Sequence, residues 1–275
     1  MASNYLGYQE KSSPIHRLSG TTKLICFLVL SIICMVSYDT RFLFISGVFA
    51  LIVLKISKIR WQEIKYPTYF ILVFAVINLL MIFVFSPEEG VKIYHHRTVI
   101  SHLVGPYWLT KEQLFYELNI LLKYFSTIPL AFIFILTTHP SELAASFNHI
   151  GVSYRISYAI ALALRYIPDI QADFDAIRQA QQAKGIDMSR KAPLLQRLKH
   201  SAKIIMPLIF NSLDRIEMIS QSMELRRFGK GNKRTWYSYR PFSKGDLLAI
   251  SFVTILSIIG IALFFINQGR FYNPF

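Results

Sequence analysis

The chain has 275 residues, of which 53% are hydrophobic and 15% aromatic, a balance that points away from an ordinary soluble domain and toward an integral membrane protein. Its formal charge of +14 would suggest nucleic acid or an acidic surface in a soluble protein. In a membrane protein the same excess collects on cytoplasmic loops and sets topology, so no nucleic-acid partner is expected. The two cysteines, Cys26 and Cys34, both fall in the first apolar run, two helical turns apart. That spacing suits neither an intrahelical disulfide nor a metal site, so both are expected to be packed or lipid-facing thiols.

The first 23 residues are polar and lack the apolar core of a cleavable signal peptide. The basic, turn-rich run Pro14-Ile15-His16-Arg17-Leu18-Ser19-Gly20-Thr21-Thr22-Lys23 predicts a cytoplasmic start. Residues 24–36 and 42–56 are two apolar segments broken by Ser37-Tyr38-Asp39-Thr40-Arg41. Each is short of the roughly 20 residues that span a bilayer squarely. A tight helical hairpin is expected, with one bent helix as the alternative. Lys55, Lys58, Arg60 and Lys65 then mark a cytoplasmic turn.

Residues 67–85 form a long apolar run that crosses outward, with Asn78 its lone polar group, expected to bond a neighbouring helix. Residues 86–113, with Pro87, Gly90, Gly105 and Pro106, read as an outer loop. Residues 114–137 return inward. Glu117, Asn119 and Lys123 leave the first half of that segment only half-apolar, suited to the interface or to packing on other helices. Between residues 139 and 244 there are 17 Lys and Arg against 8 Asp and Glu, so this long stretch is placed in the cytoplasm. Residues 247–266 are a clean spanning segment.

Two helical patterns dominate the basic stretch. Ile156, Ile160, Ala163, Ile167, Ile170, Phe174 and Ile177 recur at fours and threes, one face of a helix about 45 Å long over some 30 residues. Arg165, Asp169, Asp173 and Arg178 fall off that face. Pro168 is expected to kink it and Gly185 to end it in a left-handed cap. Leu198, Ala202, Ile205, Ile209, Ser212, Ile216, Ile219 and Met223 form the second stripe, with Pro207 its expected kink and Gly229 or Gly231 its stop. These stripes can pack on each other and on the membrane-facing side, and long amphipathic helices can also lie along a membrane surface. Each pattern ends in a basic tip: Gln182-Ala183-Lys184-Gly185 and Glu224-Leu225-Arg226-Arg227-Phe228-Gly229. A terminal cation gains about 0.3–1 kcal/mol from the helix dipole alone. The same cation, protruding, can enter an acidic groove on a partner, and spacing does not separate the two.

Three segments carry a family resemblance: Thr137-Thr138-His139-Pro140-Ser141-Glu142-Leu143, Leu162-Ala163-Leu164-Arg165-Tyr166-Ile167-Pro168 and Gln179-Ala180-Gln181-Gln182-Ala183-Lys184-Gly185. Together with His16-Arg17-Leu18 and Thr22-Lys23, they resemble the transmembrane T component (EcfT/CbiQ-like) of energy-coupling factor transporters, over nearly the whole chain. That family carries two Ala-Arg-Gly motifs at the ends of two cytoplasmic coupling helices, which dock into a pair of ATPase subunits. The resemblance puts the first motif on Ala183, Lys184 and Gly185 and the second on Leu225, Arg226 and Arg227, with Gln182 and Glu224 as supporting residues. Lys184 keeps the charge but not the planar fork of arginine. Arg227 stands where the family has glycine, which disfavours a left-handed cap there, and Gly229 is expected to take the cap two residues later.

Gly229-Lys230-Gly231-Asn232-Lys233-Arg234-Thr235 lacks the spacing of a phosphate-binding loop and follows no strand, so any ATP must be bound by another chain. Two competing classes are a membrane-bound enzyme and a stand-alone permease. His95, His96 and His102 could bind a metal in the outer loop, but no His-Glu-x-x-His motif or nucleophile elbow accompanies them. A permease usually carries polar groups at mid-membrane, and apart from Asn78 the apolar segments have almost none.

The expected architecture is all-α and polytopic, with about five transmembrane segments. Residues 1–138 form an N-terminal membrane domain, 139–244 a cytoplasmic coupling domain and 245–275 a final transmembrane helix with a short tail. The resemblance implies a non-catalytic scaffold in the cell membrane, without cofactor or metal. Its implied partners are two ABC-type ATPase subunits, identical or different, a small substrate-binding membrane subunit and the lipid bilayer.

Overall fold

The structure, a computed structural model, describes residues 11–104, 107–185, 194–230, 235–237 and 239–275, with side chains for all of these except 102–104 and 194–201. Its elements are α1 (Gly20–Val36), α2 (Thr40–Ile56), α3 (Trp61–Phe85), α4 (Glu89–Tyr94), β1 (Val99–Val104), β2 (Tyr107–Thr110), α5 (Lys111–Thr137), α6 (Pro140–His149), α7 (Tyr154–Ala183), α8 (Leu194–Leu225) and α9 (Lys244–Ile266). They fall into two compact units: residues 1–139 with 240–275, and residues 140–239.

In the first unit α3, α5 and α9 are each long and apolar enough to cross a membrane, and α1 is a shorter apolar helix. This is an all-α polytopic membrane protein. Residues 24–56 form the expected hairpin rather than one bent helix, because Asp39 ends the connection as an N-cap. Its carboxylate accepts from the N–H groups of Arg41 (2.9 Å) and Phe42 (3.4 Å). Ser19 starts α1 in the same way, accepting from Thr22 N–H.

The core of this unit is built from Leu30 and Cys34 of α1, Phe42, Leu43 and Ala50 of α2, Leu130 of α5, and Val253 and Leu256 of α9. Small residues set the close approaches. At Gly47 a Cβ would stand 2.4 Å from the Phe125 ring, and at Gly260 one would stand 2.9 Å from Ile33 and Phe42. The half-apolar start of α5 packs against helices rather than lying in the interface. Lys123 donates to the Met35 carbonyl at 2.6 Å, capping α1, and its ammonium sits 3.1 Å from the centre of the Tyr38 ring. Asn119, fully buried, accepts from Thr40 Oγ1 at 2.8 Å. In contrast, α3 is apolar and almost entirely uncovered, and Asn78 makes no side-chain hydrogen bond among the described residues.

Segment 86–113, expected to be an outer loop, is more ordered than a loop. It holds α4 and an antiparallel hairpin of β1 and β2. The β-branched pair Val99-Ile100 suits a strand, and the Glu112 carboxylate accepts from Thr98 N–H at 2.9 Å, tying the hairpin to the start of α5. Tyr94 closes α4 against α5, and burial pushes its phenol up to about 12.

In the second unit α6 packs on the start of α7, burying Ala144, Ala145 and Ser157. α7 and α8 are continuous through Pro168 and Pro207.

Candidate partner-docking site

Both basic tips lie at helix ends. α7 stops at Ala183, and the Lys184 N–H still donates back to the carbonyls of Ala180 and Gln181. Gly185 then takes φ +83°, the left-handed conformation expected of it, and donates to the Gln182 carbonyl at 2.9 Å. Gln182, Ala183, Lys184 and Gly185 are all exposed.

The second tip departs from expectation. The left-handed residue is Arg227 itself, at φ +54°, with Gly229 a second left-handed position at +82°. Arg227 N–H donates to Glu224 and Phe228 N–H to Met223, both at 2.9 Å. This is the paired pattern of a Schellman cap, and it satisfies the last carbonyls of α8. The cap therefore stays where the family has glycine, and the backbone strain of a non-glycine residue is borne there.

Aromatic packing holds that strained turn. Phe228 packs at a tilt on Tyr158 with ring centroids 4.5 Å apart and also touches Tyr154, which meets Trp236 at 5.4 Å. Trp236 donates from Nε1 to Asn148 at 3.1 Å, and Arg155 donates to the Gly229 carbonyl at 3.2 Å. Sequence reading missed this cluster; the i, i+4 pair Tyr154 and Tyr158 was its one local signal.

The pairings fix the direction of the two helices. Arg155 and Tyr158 of α7 meet Gly229 and Phe228 beyond α8, while Asp173, further along α7, meets Arg215 of α8 at 2.6 Å. α7 and α8 thus run antiparallel over this stretch. The Arg226 tip lies beside the start of α7, and about 38 Å of helix separates Tyr158 from the Lys184 tip. The two tips cannot enter one small groove together.

Leu225 is 87% exposed, and Glu224, Arg226 and Arg227 are also exposed. Arg226 shares a groove of about 370 Å³ with Arg165 and Arg215, so cationic groups converge at this end. Much of the two apolar stripes stays uncovered: Ile156, Ile170 and Phe174 on α7 and Ile205, Ile209 and Ile216 on α8 are exposed. In segment 86–113 His95 and His96 are exposed, and the His102 side chain lies outside the described residues. Among the described residues no group of three or more His, Cys, Asp and Glu could hold a metal ion.

The family described as CbiQ, cobalt transport protein, matches residues 11–237. An energy-coupling factor transporter transmembrane protein EcfT of Leuconostoc gelidum subsp. gasicomitatum is 26% identical over 264 residues, covering 90% of this chain and 93% of the relative. Proteins of the same name from Streptococcus equi subsp. equi and Bacillus subtilis are 26% and 22% identical, covering 91% and 94% of this chain and 93% and 96% of theirs. The chain belongs to the CbiQ family, as an EcfT-like T component of an energy-coupling factor transporter.

Proposed function

We propose that the chain is the non-catalytic scaffold of an ATP-driven importer, converting ATP hydrolysis on two separate ATPase subunits into uptake of a vitamin, metal ion or other micronutrient. A separate small membrane subunit binds that substrate. Residues 139–244 form the cytoplasmic coupling domain, and the N-terminus is cytoplasmic. Lys184 anchors in one ATPase and Arg226 in the other, with Ala183, Gly185, Leu225 and Arg227 shaping the tips and Gln182 and Glu224 orienting them.

The observation that carries this reading is the placement of two exposed cationic helix ends at opposite ends of one antiparallel pair. Two separated cations suit two separate receptor grooves, and a charge-assisted bond in such a groove is worth more than a helix-dipole contact in water. The uncovered stripes of α7 and α8 offer the apolar face on which the substrate-binding subunit rests and moves.

The test is affinity purification of the tagged chain from its native membrane, with co-purified proteins identified by mass spectrometry. ATPases and a small membrane protein should be recovered, and the ATPases should be lost in a Lys184→Glu, Arg226→Glu double variant. A chain that arrives alone, or a double variant with an unchanged set of partners, would return the protein to the stand-alone permease class.

A further inference from the structure

We propose that the membrane unit binds one anionic phospholipid, with an acyl chain in an apolar cavity at the basic end of α1, α2, α5 and α9 and the phosphate against Arg17. This rests on the membrane character of that unit and not on the docking role of the two tips. The cavity measures about 320 Å³, at the lower end of the roughly 300–1,000 Å³ typical of ligand pockets. It lies among the start of α1, the end of α2, the end of α5 and the start of α9, so all four contributing helix ends are at one side of the unit.

Its interior makes no polar demand. Apart from the Cys26 thiol, the polar side chains in its wall are Thr22 and Lys23. Thr22 Oγ1 is paired with Ser19 Oγ at 2.9 Å, and Lys23 Nζ donates to the carbonyls of Thr137 at 2.7 Å and His16 at 3.5 Å. Water held in a cavity needs two to four polar partners, which these walls do not supply. Two stacked aromatic pairs stiffen the walls against collapse: Phe27 with Phe134 at 4.9 Å and Phe49 with Phe252 at 4.6 Å. A hydrocarbon chain is the matching occupant.

The headgroup follows from the neighbouring space. A second cavity of about 370 Å³ shares Leu18 with the first and is lined by Ser12, Ser13, Arg17, Ser243 and Gly245. Arg17 and Lys244 are exposed, and neither has an ion-pair partner among the described residues. The Ser13 hydroxyl is engaged by His16 and the Ser243 hydroxyl by Asp246, both at 2.7 Å. The exposed Ser12 and the Arg17 guanidinium are therefore the groups left to meet a phosphate, and basic pockets between membrane helices favour anionic headgroups over zwitterionic ones.

The experiment uses the full-length chain with its co-purifying subunits in phosphatidylcholine vesicles doped with phosphatidylglycerol bearing a photoactivatable acyl chain. Peptide mapping should find adducts on the cavity residues Cys26, Leu30 and Val253 in excess over the outward-facing Leu28 and Ile32. Arg17→Glu should cut the cavity adducts about tenfold, as expected for one lost charge-assisted bond. Ala249→Phe, which fills the cavity, should remove them while labelling at Leu28 and Ile32 persists. If that variant does not fold, Arg17→Glu, at an exposed position, decides alone. Cavity labelling no higher than at Leu28 and Ile32, equal labelling by a phosphatidylcholine probe, or no effect of Arg17→Glu each overturns the proposal.

Discussion

Phe228 donates its backbone N–H to the Met223 carbonyl at 2.9 Å, closing the end of α8 around Arg227, which holds the left-handed φ of +54°. A side chain in that conformation costs about 1–2 kcal/mol relative to glycine. The cap survives because Tyr158 and Tyr154 hold the Phe228 ring from the side.

Arg227→Gly should therefore stabilise the turn by about 1 kcal/mol, slowing amide exchange at residues 227 and 228 about fivefold. Hydrogen exchange resolved to single residues measures this directly. Unchanged or faster exchange would mean that the arginine side chain contributes more to the turn than its backbone strain removes. Phe228→Ala should act in the opposite direction and loosen the same two amides.

Arg215 bridges α8 to α7 through Asp173 at 2.6 Å and Asp169 at 3.8 Å. All three groups are partly solvated, so the pair with Asp173 should be worth only about 0.5–1 kcal/mol. A double-mutant cycle of Arg215→Ala and Asp173→Ala, read by thermal unfolding, should return a coupling in that range and shrink in high salt. A coupling near zero would show that packing alone holds the two helices side by side.

Asp246 is a heavier commitment. It is buried at the start of α9 and accepts from Ser19 N–H at 2.8 Å, Ser243 N–H at 2.8 Å and Ser243 Oγ at 2.7 Å. One carboxylate thus caps α9 and joins it to the start of α1. Asp246→Ala leaves the buried Ser19 N–H without its acceptor, at a cost of about 2–3 kcal/mol. Asp246→Asn should cost less, because one acceptor oxygen remains. Thermal midpoints in detergent should rank native above Asn above Ala, and equal midpoints for all three would show that water replaces the carboxylate.

The contrast between these sites explains what could be read from residues alone. The stripe from Ile156 to Ile177 and the one from Leu198 to Met223 announce α7 and α8, because helical periodicity is a local signal. Gly185 announces its own cap for the same reason. Asp246 and Ser19 are 227 residues apart, and no periodicity links them. Lys123 looked like a misfit in an apolar run, and only the fold reveals its acceptor, the Met35 carbonyl. The β1–β2 hairpin was hidden by short strands around Gly105-Pro106, which read as a loop. At Arg227, a local propensity rule lost to the aromatic packing around Phe228.

The spacing of the two tips leads to the last prediction. If Lys184 and Arg226 hold two subunits of one ATPase pair, each anchor raises the effective concentration of the other, and their effects on retention multiply. Single reversals, Lys184→Glu or Arg226→Glu, should weaken ATPase retention and lower uptake in reconstituted vesicles, and the double reversal should abolish both. Lys92→Glu, an exposed reversal in α4 and outside the unit that carries the two tips, should leave both intact. Because Lys184 offers a point charge rather than a planar fork, Lys184→Arg should retain the ATPases at least as well as the native chain. Equal losses from Lys92→Glu and Arg226→Glu would show that net charge, and not placement at a helix end, governs the association.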